Sequence, residues 1–183
     1  MGRHQRKEYI MDANFVETFK VVPVAVPKDH SASSLTTEWI CMKNAHKATF
    51  ILYCGAIATG GALTLGVAAD AAGSKSTFTA ASMDLTLDHY WVSNAATAAA
   101  SCDVYTKTSV TASTSTFDVT LDNKVYIIEV EASKMGRFTS TSVTYDADYI
   151  SLAVVAGGSD FMSCVCILTG MRYQEDAPAT VLT

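Results

Sequence analysis

From residue 38 onward, apolar and polar positions alternate with a period of two, the signature of half-buried strands. Leu63, Leu65 and Val67 alternate with Thr64, Gly66 and Ala68, and the run ends at the turn signal Asp70-Ala71-Ala72-Gly73-Ser74. Further strands are predicted at Glu38–Met42, Ala48–Ile57, Thr77–Ala80, Leu85–Val92 and Cys102–Val110, then at Ser142–Tyr145, Tyr149–Ala156 and Phe161–Thr169. Ala48–Ile57 is apolar on both faces, and Phe161–Thr169 is the most apolar run and is expected to be central. Phe117, Val119 and Leu121 alternate with Asp118 and Thr120, Asp122-Asn123 reads as a tight hairpin turn, and Val125–Glu131 is the expected return strand. That strand should turn Tyr126, Ile128 and Val130 inward and Glu129 and Glu131 to water. Strands this short and this regularly spaced predict an all-β fold, an antiparallel sandwich or jelly roll. Helix is expected only at residues 8–20 and along the alanine run near 94–101.

The pattern differs upstream. Residues 1–37 read as an N-terminal arm outside the compact domain, residues 38–175 as the sandwich, and 176–183 as a C-terminal tail. Within the arm, Met11, Phe15 and Phe19 recur at i, i+4 and i+8, one stripe of a short helix. Val21-Val22-Pro23-Val24-Ala25-Val26-Pro27 must then be extended, because each proline biases its predecessor away from the helical region. An arm this apolar should dock on its own domain, a sister subunit or another protein. Its expected contact residues are Met11, Phe15, Phe19, Val22, Val24 and Val26.

Composition narrows the class. The 183 residues carry a net charge of −5, which argues against a general nucleic-acid binder. Residues 1–47 are net +2 and the remainder net −7. Ala, Thr and Ser number 26, 22 and 17, and the three prolines fall at 23, 27 and 178. Abundant β-branched Thr and a proline-free middle suit uninterrupted ladders. The chain has no apolar run of membrane-spanning or signal-peptide length, so no membrane partner and a cytoplasmic site of synthesis are expected. Five cysteines, at 41, 54, 102, 164 and 166, form no metal spacing. Cys164 and Cys166 should share one strand face about 6.6 Å apart, side chains parallel, and pack as buried thiols, as should Cys54. Cys102 and then Cys41 are the candidates for a disulfide between subunits.

The search for chemistry is negative. There is no G-x-S-x-G elbow, P-loop or H-E-x-x-H motif, so no catalytic, cofactor-binding or metal-binding residues are expected. His89 follows Asp88, but adjacent strand residues face opposite ways, and a rim histidine is the expectation. Asp146 and Asp148 share a face without the other positions of a calcium loop, which makes a solvated turn. Trp39 and Trp91 form no regular platform with the tyrosines and are assigned to packing.

Three stretches carry a resemblance: Lys43-Asn44-Ala45-His46-Lys47-Ala48-Thr49-Phe50-Ile51-Leu52 with Gly55 and Ala56; Ala62–Gly73; and Val125–Ala132 followed by the late strand and Thr169-Gly170-Met171-Arg172-Tyr173. Over roughly residues 39–175 the chain resembles the head decoration, cement or capsid-linking proteins of tailed bacteriophages. The resemblance lies in strand-and-turn patterning and transfers no active site. It implies a non-enzymatic β-sandwich that oligomerises, a trimer being favoured, on the capsid exterior of a virion assembled in a bacterial cytoplasm. Its implied partners are the major capsid protein and further copies of itself, with no cofactor. The alternatives are another structural virion component, such as a tail, neck or fibre subunit, or a small enzyme or carbohydrate-binding domain.

Overall fold

The computed structural model describes residues 15, 19–30, 34–57, 62–79, 82–94, 103–110, 116–117, 122–155 and 161–171. In chain order the strands are β1 (Lys20–Asp29), β2 (Leu35–Thr36), β3 (Ile40–Cys41), β4 (Lys47–Cys54), β5 (Ala62–Ala68), β6 (Ser76–Thr77) and β7 (His89–Ser93), followed by β8 (Tyr105–Ser109), β9 (Thr116–Phe117), β10 (Val125–Glu131), β11 (Arg137–Ser140), β12 (Val143–Asp146), β13 (Tyr149–Val155) and β14 (Phe161–Thr169). One sheet runs β1-β14-β4-β10-β7-β8 with every neighbouring pair antiparallel. The second is centred on β13 and β5: β2 and β3 line the outer side of β13, and β6 and β9 line the outer side of β5. β11 and β12 form a separate hairpin, joined to the body by the Met83–Phe138 bridge.

The fold is an all-β antiparallel sandwich, as the period-two pattern predicts. Its core joins Phe50, Leu52, Tyr126, Ile128, Cys164 and Leu168 from the first sheet to Leu63, Leu65, Ile150 and Leu152 from the second, all fully buried. Tyr126, Ile128 and Val130 point inward, while the backbone of β10 pairs with β4 along its full length. β14 is an interior strand between β1 and β4.

β11 is a strand the sequence pattern does not mark, residues 85–88 of the expected Leu85–Val92 strand lie outside β7, and two other departures change the topology. Residues 20–29 and 35–37 of the expected arm 1–37 belong to the compact domain: β1 is the edge strand on β14, β2 pairs with β13, and Val22, Val24 and Leu35 are buried in the core. The physical reason is that Val22 and Val24 themselves alternate with Val21 and Pro23, and an edge strand tolerates the missing proline N–H. The two register shifts in β1 lie between Pro23 and Ala25 and between Ala25 and Lys28, so the ladder is irregular around both prolines. The second departure concerns residues 117–131. β9 pairs with β5 in one sheet and β10 with β4 and β7 in the other, so Asp122-Asn123 serves a crossing between sheets, not a hairpin. Asn123 takes the left-handed conformation (φ 51°) and donates from its backbone N–H to Gly55 O at 2.8 Å, while Asp122 Oδ1 accepts from Ile57 N at 3.0 Å. The turn is therefore held by the end of β4 and the residues that follow it. The predicted helices fall almost wholly outside the described residues, as does the tail at 176–183.

Between β2 and β3 the chain is fastened by a buried polar pair. Thr37 Oγ1 accepts from Leu152 N at 2.9 Å, Ser151 Oγ donates to Thr37 O at 2.9 Å, and the two hydroxyls lie 3.2 Å apart. Thr37→Val preserves shape but leaves the Leu152 N–H without its acceptor. The expected loss is about 1–3 kcal/mol in urea unfolding, and a loss below a few tenths would show that this fastening is dispensable.

Candidate interaction site

The residues expected to contact a partner through the arm are divided by the fold. Met11 lies outside the described residues. Phe19 N donates to Phe15 O at 2.9 Å, and the two rings meet at a tilt of 42° with 4.8 Å between centres, which reproduces the i, i+4 spacing of the stripe. Phe15 is 54% exposed and Val26 is 64% exposed, whereas Val22 and Val24 are committed to the core. Exposed apolar surface of this segment thus includes Val21, Pro23 and Val26 within β1 and Phe15 ahead of it.

Cys102 lies outside the described residues. Cys41 is a half-buried free thiol on β3, opposite Tyr149 of β13. The Cys41 sulfur beside it, with burial and a hydrogen bond to that sulfur, raises the Tyr149 phenol above its ordinary range. Cys54, Cys164 and Cys166 are buried.

One end of the sandwich carries a polar cleft of about 640 Å³ lined by Lys43, His46, Lys47, Glu131, Ser133 and Thr169. It adjoins a smaller hollow of about 120 Å³ that shares Lys47 and Glu131 and adds Asp88, His89, Glu129 and Lys134. Three lysines here have carboxylate partners: Lys47 with Glu129 at 2.6 Å, Lys43 with Asp148 at 3.0 Å, and Lys134 with Asp88. The hydrogen bond and charge of Lys134 hold Asp88 below the usual carboxylate range, and Asp88 in turn raises Lys134. A hydrogen bond and the charge of Asp148 likewise raise Lys43. Each of these three lysines is thus neutralised by a carboxylate.

Asp146 pairs with Arg137 at 3.2 Å and Asp148 with Lys43, so these two carboxylates serve separate ion pairs. Among the described residues no three His, Cys, Asp or Glu side chains are grouped to hold a metal ion. His89 meets Trp91 edge-on at 6.0 Å between ring centres, while Asp88 turns to Lys134. Trp39 packs against Phe78 at 5.5 Å, on the other sheet from Trp91. The indoles therefore form no common platform.

A further surface feature lies outside the expectations drawn from the sequence. Opposite its core face, the first sheet presents a second apolar face. Pro23, Val165, Ile51, Ile127 and Trp91 stand directly opposite one another across β1, β14, β4, β10 and β7. Flanking them are Val21 with Ile167 on one side and Tyr53 with Val125 on the other. The central members are half-buried, with Val21 at 37%, Tyr53 at 54% and Phe161 at 58% exposure. Lys107 of β8 closes the row, its Nζ 5.8 Å from the Trp91 ring centre. The signal was present in Phe50-Ile51-Leu52-Tyr53 and Tyr126-Ile127-Ile128, runs apolar at both strand parities. No helix among the described residues is long and apolar enough to cross a membrane. Comparison of the chain with protein-family models, curated proteins and solved structures finds no match.

Proposed function

We propose that this chain is a non-enzymatic structural virion protein that binds the outer capsid lattice of a tailed bacteriophage and stabilises it. The observation that carries the reading is the resemblance over residues 39–175, in the three stretches around Lys43–Leu52, Ala62–Gly73 and Val125–Ala132. The geometry is compatible with it: the polar cleft has its lysines neutralised in ion pairs, while exposed apolar side chains lie on a sheet and along its edge strand. A subunit repeated across a lattice needs only a modest contact per copy, because linked contacts act at high effective concentration. The segment leading into β1, with Phe15 half-exposed beside Phe19, would supply such a contact to the major capsid protein, and self-association into a trimer or other homo-oligomer would add the linkage.

Purified chain is mixed with empty heads of the phage whose genome encodes it, and the heads are pelleted. Saturable co-sedimentation at a fixed ratio to the capsid protein is the expected result. A variant lacking residues 1–18 retains β1 and should stay folded while binding at least about tenfold more weakly. No binding to heads, with incorporation into tails, would move the chain to the tail or neck class; equal binding by the shortened variant would remove the arm from the contact.

A further inference from the structure

We infer that the outer face of the first sheet is a docking surface for a second copy of this chain, packed sheet on sheet. The sandwich has already satisfied its core with the inner face of this sheet, so the second apolar face has no role within the described fold. Three arguments select a second copy as occupant.

The first is extent. The row from Pro23 to Trp91 crosses five strands, and the flanking rows add Val21, Ile167, Tyr53 and Val125. Four interstrand steps of about 4.8 Å and two same-face steps of about 6.7 Å, with side-chain radii added, give roughly 500 Å² per copy. Two copies would bury about 1,000 Å², the lower bound for a specific interface.

The second is charge. Copies of a chain with net charge −5 repel, and the least costly approach is through a neutral face. Pro23, Val165, Ile51, Ile127 and Trp91 place no charge in the central row before Lys107 at its end; Glu129, opposite Thr49 in the flanking row, is paired with Lys47, and Glu131 lies beyond it. Asp84, Asp146 and Asp148 lie instead on the β11–β12 hairpin or in the loops beside it, away from this sheet. Such depletion of charge at the centre, with Trp91 and Tyr53 as aromatic members, is the composition of an interface core.

The third is shape. A pleated sheet face meets an identical face with side chains interdigitated at about 10 Å between sheets, as the two layers of any sandwich do. The contact is isologous, so it pairs copies two by two and would double any odd-numbered ring made through other surfaces. It does not depend on the capsid reading.

Sedimentation velocity of the full chain from about 1 to about 200 μM tests the inference. The expected result is concentration-dependent association into even-numbered species, weakened roughly 30-fold or more in an Ile51→Thr/Ile127→Thr double variant. Far-UV circular dichroism and the melting curve report whether the variant is folded. If it is not, Thr49→Lys, a half-exposed position beside Ile167, makes the same test with little change to the core. A chain monomeric throughout, or association unchanged in the folded variants, overturns the inference. Association that rises when residues 1–18 or 172–183 are deleted also overturns it, since the chain's own segment would then cover the face. Failure to bind phage heads would leave this measurement untouched, so the two readings fail separately.

Discussion

Deletion of residues 1–29 is expected to abolish stable folding, whereas deletion of residues 1–18 should leave the melting curve nearly unchanged. The difference is β1. Its removal takes Val22 and Val24 from the core, each worth roughly 1.5–3 kcal/mol of burial. It also strips the partner from β14, whose residues Phe161 to Leu168 pair with β1 and whose inward side chains Met162, Cys164, Cys166 and Leu168 are all buried. An interior, strongly apolar strand would become an unprotected edge without the prolines that now terminate the sheet. A loss of about 5 kcal/mol or more is a large part of the 5–15 kcal/mol by which domains are stable, and the exposed edge favours aggregation. Soluble yield and thermal unfolding of the two deletions provide the check. A 1–29 deletion that melts within a few degrees of the full chain would show that β1 is an appendage after all.

That contrast also marks what the sequence makes legible. Alternation is local, and it located β4, β5, β10, β13 and β14 to within a few residues, with the inward set of β10 correct at Tyr126, Ile128 and Val130. The Asp70–Ser74 turn was equally local: Asp70 accepts from Ser74 and Lys75, and Gly73 takes φ 65°. Pairing is not local. Nothing in Phe117, Asp122-Asn123 and Val125 distinguishes two strands that pair with each other from two that pass to opposite sheets. Membership of the domain is not local either. Val22 and Val24 share the period of a strand, but only the unpaired side of β14 makes that strand part of the core. The second apolar face illustrates the same limit. Ile51 and Ile127 are visible as apolar residues of outward parity, but their registration with Val165 and Trp91 into one surface needs four strand pairings that no window of sequence contains.

The buried thiols should make stability fall on the alkaline side. Cys164 and Cys166 are fully buried on the inward face of β14, and burial pushes both thiols well above their ordinary value, with the neighbouring Cys166 and Cys54 adding to the effect at Cys164. In the unfolded chain both ionise near pH 8.5, while in the folded chain they stay protonated. The unfolded state therefore binds fewer protons above that value. Stability is fully present below the unfolded thiol pKa and is lost as pH rises from there toward the folded values. Each thiol contributes a slope of about 1.4 kcal/mol per pH unit, so the pair removes on the order of 5 kcal/mol between about pH 9 and 11. Urea unfolding at a series of pH values should show this decline in the native chain. A Cys164→Ala/Cys166→Ala variant starts lower at neutral pH, because two buried side chains are truncated, but its curve should be flatter above pH ~9. The same protonated, enclosed state predicts that an aromatic disulfide reagent modifies Cys41 promptly and Cys164 and Cys166 only through opening of the sheet, slower by about 10³-fold or more. Parallel alkaline limbs in the two proteins, together with prompt modification of all the thiols, would mean that β14 is open to solvent on its inward face.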